Sequence, residues 1–158
     1  MAYKKKSWDE KLKDNKSFPK TLSFDPKFPC GRALEKMGAK PGDSVVLAPP
    51  FEVNEIMKKV PRGKLIILNE ICKELAKKHR AKYCCTLTTG IFVMTAANAA
   101  EETKSDVPYW RTIKNNGELN EKYPGGAERQ KRLLEKEGHT VIKKGKKYYV
   151  KDFEEKLL

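Results

Sequence analysis

The sequence predicts a mostly helical α+β fold with an irregular N-terminal extension, and three observations support this prediction. Apolar residues recur at helical spacing through much of residues 51–138. Two β-prone runs follow at residues 140–150, on either side of a Lys-Gly-Lys turn. Six of the nine prolines fall in the first fifty residues, where they interrupt regular structure. We therefore expect an extension over residues 1–50 that packs on a domain over residues 51–158.

The extension is expected to contain two short regular elements. Ser7 stands three residues before Glu10, the spacing of a helix N-cap and its capping-box partner, so a short helix is predicted up to Leu12. The apolar run over residues 45–48 has the length and composition of a short strand.

Two amphipathic helices are predicted at the start of the domain. The first carries its apolar side chains at Val53, Ile56, Met57 and Val60 and is ended by Pro61. After the apolar run 65–68, Asn69 is the predicted N-cap of the second helix. Its buried face is expected to comprise Ile71, Cys72, Leu75 and Ala76.

A third helix is predicted to run to Glu102, with Thr88 or Thr89 as its N-cap. With the preceding helix it forms a candidate helix-turn-helix. Its many small side chains allow another backbone to approach closely, either a neighbouring helix or a nucleic-acid groove. Packing against a helix is the favoured interpretation of the two. These small residues are Gly90, Ala96, Ala97, Ala99 and Ala100.

A fourth helix over residues 126–137 and a hairpin over residues 140–150 complete the domain. Leu133 and Leu134 are the expected buried residues of this helix, and Gly138 has the C′ position after its end. The hairpin carries four lysines at its tip, which suits the wing of a winged helix-turn-helix. It equally suits an edge hairpin whose charges prevent aggregation.

The charge is strongly positive and unevenly distributed. The chain has 34 Lys and Arg against 21 Asp and Glu, a formal net charge of +13. Residues 111–151 contain twelve basic and five acidic residues, so about a quarter of the chain carries more than half of the net charge. Clustered cations suit a polyanionic partner, although a solubility surface or a thermophile-like charge load explains the total as well. Tyrosines and Trp110 beside the cations favour nucleic acid over a membrane surface.

Several classes of protein are excluded or made improbable by composition. No apolar run approaches the roughly 18–20 residues of a membrane span, and no apolar segment follows the basic residues 4–6 to form a secretory signal. The four cysteines include no CxxC pair and the two histidines are isolated, so we expect neither a metal nor another cofactor. Free thiols indicate a reducing compartment, and we expect a cytoplasmic protein, nucleoid-associated if the source is prokaryotic.

Several blocks in order resemble the DNA-binding domain of methylguanine-DNA methyltransferases, and are most similar to the alkyltransferase-like branch. The resemblance covers roughly residues 51–150. It implies a winged helix-turn-helix whose second helix, 89–102, enters the minor groove while a damaged nucleotide is flipped into a pocket. The blocks that carry it are Val60-Pro61-Arg62-Gly63-Lys64-Leu65, Val107-Pro108-Tyr109-Trp110-Arg111-Thr112-Ile113, Asn116-Gly117-Glu118-Leu119, Tyr123-Pro124-Gly125-Gly126 and the run 130–138.

The resemblance also implies roles for individual residues. True methyltransferases have Pro-Cys-His-Arg, in which the cysteine thiolate accepts the alkyl group. Tyr109 stands at the cysteine position and Trp110 at the histidine position, so alkyl transfer at this site is excluded. Arg111 matches the motif arginine, whose implied role is structural support. Tyr123 and Gly125 match the pocket loop, where the tyrosine packs near the flipped base and the glycine allows its close approach.

Further DNA contacts are predicted on the third helix and on the hairpin. The family's intercalating arginine aligns near Ile91, so an apolar wedge there would fill the gap left by a flipped base. The family's DNA-rotating tyrosine falls near Leu68 and is missing. The predicted contacts outside the motif are Thr88, Thr89, Ile91, Phe92, Lys144 and Lys146.

These features together predict a monomeric DNA-repair protein that binds double-stranded DNA, with other repair proteins as further partners. It would recognise a modified, typically alkylated, base without alkyl transfer. One alternative is a base-processing enzyme such as a glycosylase, although neither Asp106 nor Glu118 has the spacing of a catalytic carboxylate pair. The other is lesion-independent DNA binding. Cys84 and Cys85 precede the third helix and are conceivable acceptors, but packing at a tight connection is the favoured role for both.

Overall fold

The structure, a computed structural model, describes residues 7–14 and 16–158 of the chain. The basic residues 4–6, on which the exclusion of a secretory signal partly depends, lie outside the described residues. The fold is mixed α+β and mostly helical. Its α-helices are α1 Trp8–Lys13, α2 Gly31–Lys36, α3 Pro50–Lys58, α4 Leu68–Lys78, α5 Thr86–Thr103 and α6 Gly126–Lys136.

Within the described residues, seven short strands form three small sheets. The first has the order β1-β2-β4, antiparallel and then parallel; the second pairs β3 with β5 in parallel; the third is the antiparallel hairpin β6–β7. The strands are β1 Lys20–Ser23, β2 Ser44–Leu47, β3 Ile66–Ile67, β4 Tyr83–Cys84, β5 Thr112–Ile113, β6 Val141–Lys144 and β7 Lys147–Val150. Two 3-10 turns, Tyr109–Arg111 and Phe153–Lys156, precede β5 and follow β7.

Helix α5 is the centre of the main core. Its small side chains Ala96, Ala97 and Ala100 are buried, and they let α3 and α4 pack closely against its axis. Both predicted amphipathic faces are present, because α3 buries Val53 and Met57 and α4 buries all four of its expected apolar residues. Packing against helices therefore accounts for these three alanines of the small-residue surface.

The N-terminal segment is more regular than the expected irregular extension. It forms α1, β1, α2 and β2. Strand β2 is stabilised by parallel pairing with β4, which lies far along the chain. The predicted cap of α1 is confirmed, since the Ser7 hydroxyl accepts a hydrogen bond from the Glu10 N–H. The Glu102 carboxylate at the end of α5 accepts hydrogen bonds from the backbone N–H groups of Trp8 and Asp9, each at 3.2 Å.

Two of the predicted helix starts were wrong. Helix α4 begins at Leu68, one residue before Asn69, and the Asn69 N–H donates to the Asn115 side chain at 2.8 Å. Helix α5 begins at Thr86 with Cys85 as its N-cap, rather than with Thr88 or Thr89. The reason is tertiary: the Cys85 N–H bonds to the Val46 carbonyl in the first sheet, so the chain passes directly from strand to helix.

The C-terminal part agrees with the local sequence signals. Helix α6 is followed by Gly138 at a φ of +91°, the left-handed conformation expected at a C′ position. Leu134 is fully buried, whereas Leu133 is only half-buried. The hairpin β6–β7 carries its lysines at the tip and packs on a smaller core around Leu65, Leu119 and Leu134.

Candidate nucleic-acid interface

Arg111 joins three parts of the fold through one side chain. Its Nε and Nη2 atoms donate to the two Glu137 carboxylate oxygens at 2.9 and 2.5 Å, and its Nη1 donates to the Val60 carbonyl at 2.7 Å. The two charged side chains are only 14% and 6% exposed. Burial opposes ionisation of Glu137, but the hydrogen bonds from Arg111 and Trp110 outweigh it and lower the pKa of this carboxyl. Arg111 therefore has a structural role in this conformation, because it connects the motif to Glu137 and to Val60.

Trp110 is bound to the same carboxylate. Its Nε1 donates to Glu137 Oε1 at 3.1 Å, and its ring packs between the main core and the smaller core under the hairpin. The side chain is half-buried, and its position is fixed by packing on both sides.

Tyr109 lies inside the protein and is only 2% exposed. Its hydroxyl donates to Glu101 Oε1 at 2.8 Å, and Arg129 Nη2 lies 2.9 Å from the same oxygen. Burial and the Glu101 carboxylate raise the pKa of the phenol well above its usual range. Glu101, which the sequence reasoning did not single out, therefore anchors the residue at the acceptor position.

Tyr123 and Gly125 lie in the loop before α6, and the Tyr123 ring packs against Tyr109. The rings of Tyr109 and Tyr123 meet edge-to-face with 5.3 Å between their centroids, and the Tyr123 hydroxyl donates to the Thr112 carbonyl at 2.9 Å. Gly125 has a φ of +81°, and a Cβ there would lie 2.4 Å from Arg129 Cδ. Glycine is therefore required at this position both by backbone conformation and by the packing of Arg129.

A cavity of about 340 Å³ opens between the start of α5, strand β5 and the loop that follows it. Of the predicted pocket residues Tyr123 lines it, whereas Tyr109, Trp110 and Gly125 do not. Cavities of similar size lie beside the hairpin, the C-terminus and α2, but none of them contains Tyr123. The lining comprises Leu68, Gly90, Val93, Thr112, Ile113, Lys114, Asn115, Asn120 and Tyr123.

The polar side of this cavity is formed mainly by the segment after β5. Lys114 Nζ lies 3.1 Å from Glu118 and 3.2 Å from Glu121. Burial opposes protonation of Lys114, but its hydrogen bonds to the two carboxylates outweigh that cost and raise its pKa. Thr112 is 2% exposed, and its hydroxyl oxygen has no hydrogen-bond partner among residues 7–14 and 16–158. Sequence reasoning passed over this hydroxyl because no local signal marks an unpartnered group.

The start of α5 presents apolar side chains at the surface. Ile91 is 54% exposed and Leu87, one turn earlier, is 48% exposed. Phe92 is half-buried and its ring meets Phe18 edge-to-face at 5.4 Å. Leu87 was missed, although its i, i+4 spacing from Ile91 was a sequence signal that both lie on one helix face.

The two threonines predicted as contacts differ in exposure. Thr89 is buried, and its hydroxyl donates to the Cys85 carbonyl at 2.8 Å, so its side chain has no surface from which to reach DNA. Thr88 is half-buried and its hydroxyl donates to Cys85 Sγ at 3.3 Å. On the hairpin, Lys144 and Lys146 are both exposed.

The cysteines are free and buried, and none lines the cavity beside β5. A hydrogen bond from Cys72 lowers the pKa of the Cys84 thiol despite its burial, but the side chain is 2% exposed. Burial and the neighbouring Cys85 thiol raise the pKa of Cys30 to about 12. Within the described part of the chain there is no group of three or more potential metal ligands, and no helix is long and apolar enough to cross a membrane.

Comparison with known proteins identifies the family. The DNA-binding domain of 6-O-methylguanine DNA methyltransferase matches residues 50–139, more than half of the chain. The chain belongs to this family. Within this methyltransferase-family domain, the segment 107–113 has neither the cysteine nor the histidine of the alkyl-transfer motif. No curated protein matched the chain.

Two solved structures share the fold of the methyltransferase-family domain. One is S. pombe Atl1 in complex with damaged DNA containing O6-carboxymethylguanine, with 22% identity and a TM-score of 0.52. The other is S. pombe ATL in complex with DNA, with 20% identity and a TM-score of 0.53. Each comparison covers 69% of this chain and 93% of the other.

Proposed function

We propose that this protein is a winged helix-turn-helix of the alkyltransferase-like kind, which binds double-stranded DNA and recognises a modified base without accepting its alkyl group. The observation that carries the proposal is a cavity of about 340 Å³ directly behind the exposed start of α5, in a domain of a DNA-binding family. This volume lies at the lower end of small-molecule sites, where a flat base with a short substituent fits.

The DNA-facing side is assigned from exposure and charge. Ile91 and Leu87 form an exposed apolar edge, of the kind that minor-groove proteins insert between base steps. Gly90 lies next to Ile91 in the chain and lines the cavity, so a wedge at Ile91 would act close to the cavity entrance. Lys144 and Lys146 on the hairpin would hold the phosphate backbone.

The chemistry of the site supports binding without alkyl transfer. An alkyl acceptor needs a nucleophile in contact with the modified base, and a thiolate is the usual one. Tyr109 is buried, its phenol is held by Glu101, and its raised pKa keeps it protonated at neutral pH. None of the residues that line the cavity is a cysteine.

The test is a binding comparison on matched duplexes that contain guanine or O6-methylguanine at one position. We expect the wild-type protein to favour the modified duplex, and the Ile91→Ala variant to lose most of that preference. Leu22→Ala removes an equally apolar, 39% exposed side chain from β1 and serves as the matched control. Equal affinity of the wild-type protein for both duplexes would overturn the proposal.

Product analysis of the same samples separates this function from its enzymatic alternatives. We expect the O6-methylguanine base to remain in the DNA and the mass of the protein to stay unchanged. A protein heavier by one methyl group would show alkyl transfer, and an abasic site would show a glycosylase.

A further inference from the structure

A second cavity, of about 460 Å³, lies between α2 and the start of α5. Lys36 and Met37 line it from the end of α2, and Leu87 lines it from the first turn of α5. It shares Leu68 and Asn115 with the cavity beside β5, so the two cavities are neighbours. Because Leu87 also belongs to the exposed apolar edge of α5, helix α2 borders the surface that the proposed function assigns to DNA.

Helix α2 presents unpaired positive charge at this border. Residues 27–40 contain four basic residues and one acidic residue. Arg32 and Lys36 are one helical turn apart, so they project from the same side of α2, and both are exposed. Neither has an ion-pair partner among residues 7–14 and 16–158. Two neighbouring cations without carboxylate partners are suited to bind an anionic partner.

The rest of this cavity is apolar or already engaged. Its two walls expose apolar side chains, since Met37 is 39% and Leu87 is 48% exposed. The side chains of Asn69 and Asn115 are hydrogen-bonded to each other at 3.1 Å. Apolar walls with cations at the side match the DNA backbone, in which each deoxyribose lies next to an anionic phosphate.

We infer that Arg32 and Lys36 bind phosphate groups of the DNA backbone next to the point where α5 enters the groove, an inference that rests on the proposed function. The match to the family domain begins at residue 50, so this contact extends the DNA interface onto the N-terminal segment. Phosphate contacts position a protein on a duplex but do not read its bases. Helix α2 therefore increases affinity for modified and intact duplexes equally.

The experiment measures affinity for matched duplexes with guanine or O6-methylguanine, at salt concentrations from about 50 to 200 mM. Arg32→Gln combined with Lys36→Gln should make the slope of log affinity against log salt shallower by about 1.8 for both duplexes. Arg32→Lys combined with Lys36→Arg keeps both charges and should keep the wild-type slope. Lys58→Gln combined with Lys59→Gln removes equal charge beside a different cavity and should change the slope much less.

The outcomes separate this inference from the proposed function. If the wild-type protein favours the modified duplex but the neutralised α2 variant keeps the wild-type slope, the function stands and the role of α2 is overturned. Equal changes in slope for the α2 and α3 variants would also overturn it, because only net charge would then matter. If the wild-type protein shows no preference but the α2 variant has the shallower slope, lesion recognition fails and the α2 contact stands. If the wild-type protein binds neither duplex, both fail.

Discussion

Arg111 and Glu137 form a two-bond ion pair, at 2.9 and 2.5 Å, that links the motif after α5 to the residue that follows α6. The same arginine reaches the Val60 carbonyl and the same carboxylate accepts from Trp110, so this one pair holds together the ends of α3 and α6. This pair therefore holds the backbone of the segment 107–113, which has neither the cysteine nor the histidine of the alkyl-transfer motif.

Removal of the Glu137 charge should destabilise the protein strongly. Glu137→Gln leaves the buried Arg111 guanidinium without its counter-ion, and we expect a loss of about 3 kcal/mol in the free energy of unfolding. Glu135→Gln, which breaks the exposed Lys131–Glu135 pair on the same helix, should cost less than about 0.5 kcal/mol. Urea unfolding of both variants checks this, and similar losses in the two would contradict the assigned role of the pair.

His139 should make stability depend on pH. The side chain is 6% exposed and neither ring nitrogen has a partner among the described residues. Burial lowers its pKa, and Lys156 and Arg111 lower it further against the opposing effect of Glu137. A folded pKa below the unfolded value of about 6.5 contributes stability that is present above that value and is lost as pH falls through the folded pKa.

The measurement for His139 is the free energy of unfolding between pH 8 and pH 5. The wild-type protein should lose stability as the pH falls below about 6.5, and His139→Gln should reduce that loss. Between pH 7 and pH 8 the two proteins should show the same pH dependence, which provides the internal control. Parallel curves down to pH 5 would show that His139 titrates equally in the folded and unfolded chains.

The hairpin lysines should determine part of the salt dependence of DNA binding. Each phosphate contact contributes about −0.9 to the slope of log affinity against log salt concentration. Lys144→Gln combined with Lys146→Gln should therefore make the slope shallower by about 1.8 and weaken binding to modified and intact duplexes alike. Lys58→Gln combined with Lys59→Gln removes the same charge from the end of α3 and the residue after it. Equal changes in slope for the two double variants would show that only net charge matters.

The unpartnered Thr112 hydroxyl should lower the stability of the protein in the absence of DNA. Thr112→Val keeps the shape of the side chain and removes the buried polar atom, so we expect a gain of about 1 kcal/mol in the free energy of unfolding. Thr95→Val removes a hydroxyl that is hydrogen-bonded to Ile91 and should instead cost about 1 kcal/mol. Thermal or urea unfolding measures both, and a stability loss at Thr112 comparable to that at Thr95 would mean that its hydroxyl is satisfied.

The parts of the fold that depend on residues close together in the sequence could be predicted from it. The Ser7 cap, the apolar face of α4 and the Gly138 terminator are local signals, and all three are present. The start of α5 was misplaced because it depends on a hydrogen bond from Cys85 to Val46, which lie 39 positions apart. The strand predicted at residues 45–48 is present as β2, whereas β1 was missed because it is stabilised by pairing with β2, which lies further along the chain.

The candidate site was predictable to a lesser degree. The resemblance identified Tyr109 and Tyr123, but it could not show that Tyr109 is buried against Glu101 or that the cavity is lined by Tyr123 and β5 and not by Tyr109. The Thr112 hydroxyl is distinguished only by a missing partner, which is a property of the folded environment and not of the residue type.

The placement of α5 has a consequence for how such a domain can diversify. Its first turn is held by the bond from Cys85 to Val46, and Glu102 near its end is held by the backbone of α1. Both holding elements precede residue 50, where the match to the family domain begins. Substitutions in the N-terminal segment that alter these contacts would therefore change the position of α5 in the fold. They would do so without any change to the side chains that the helix presents.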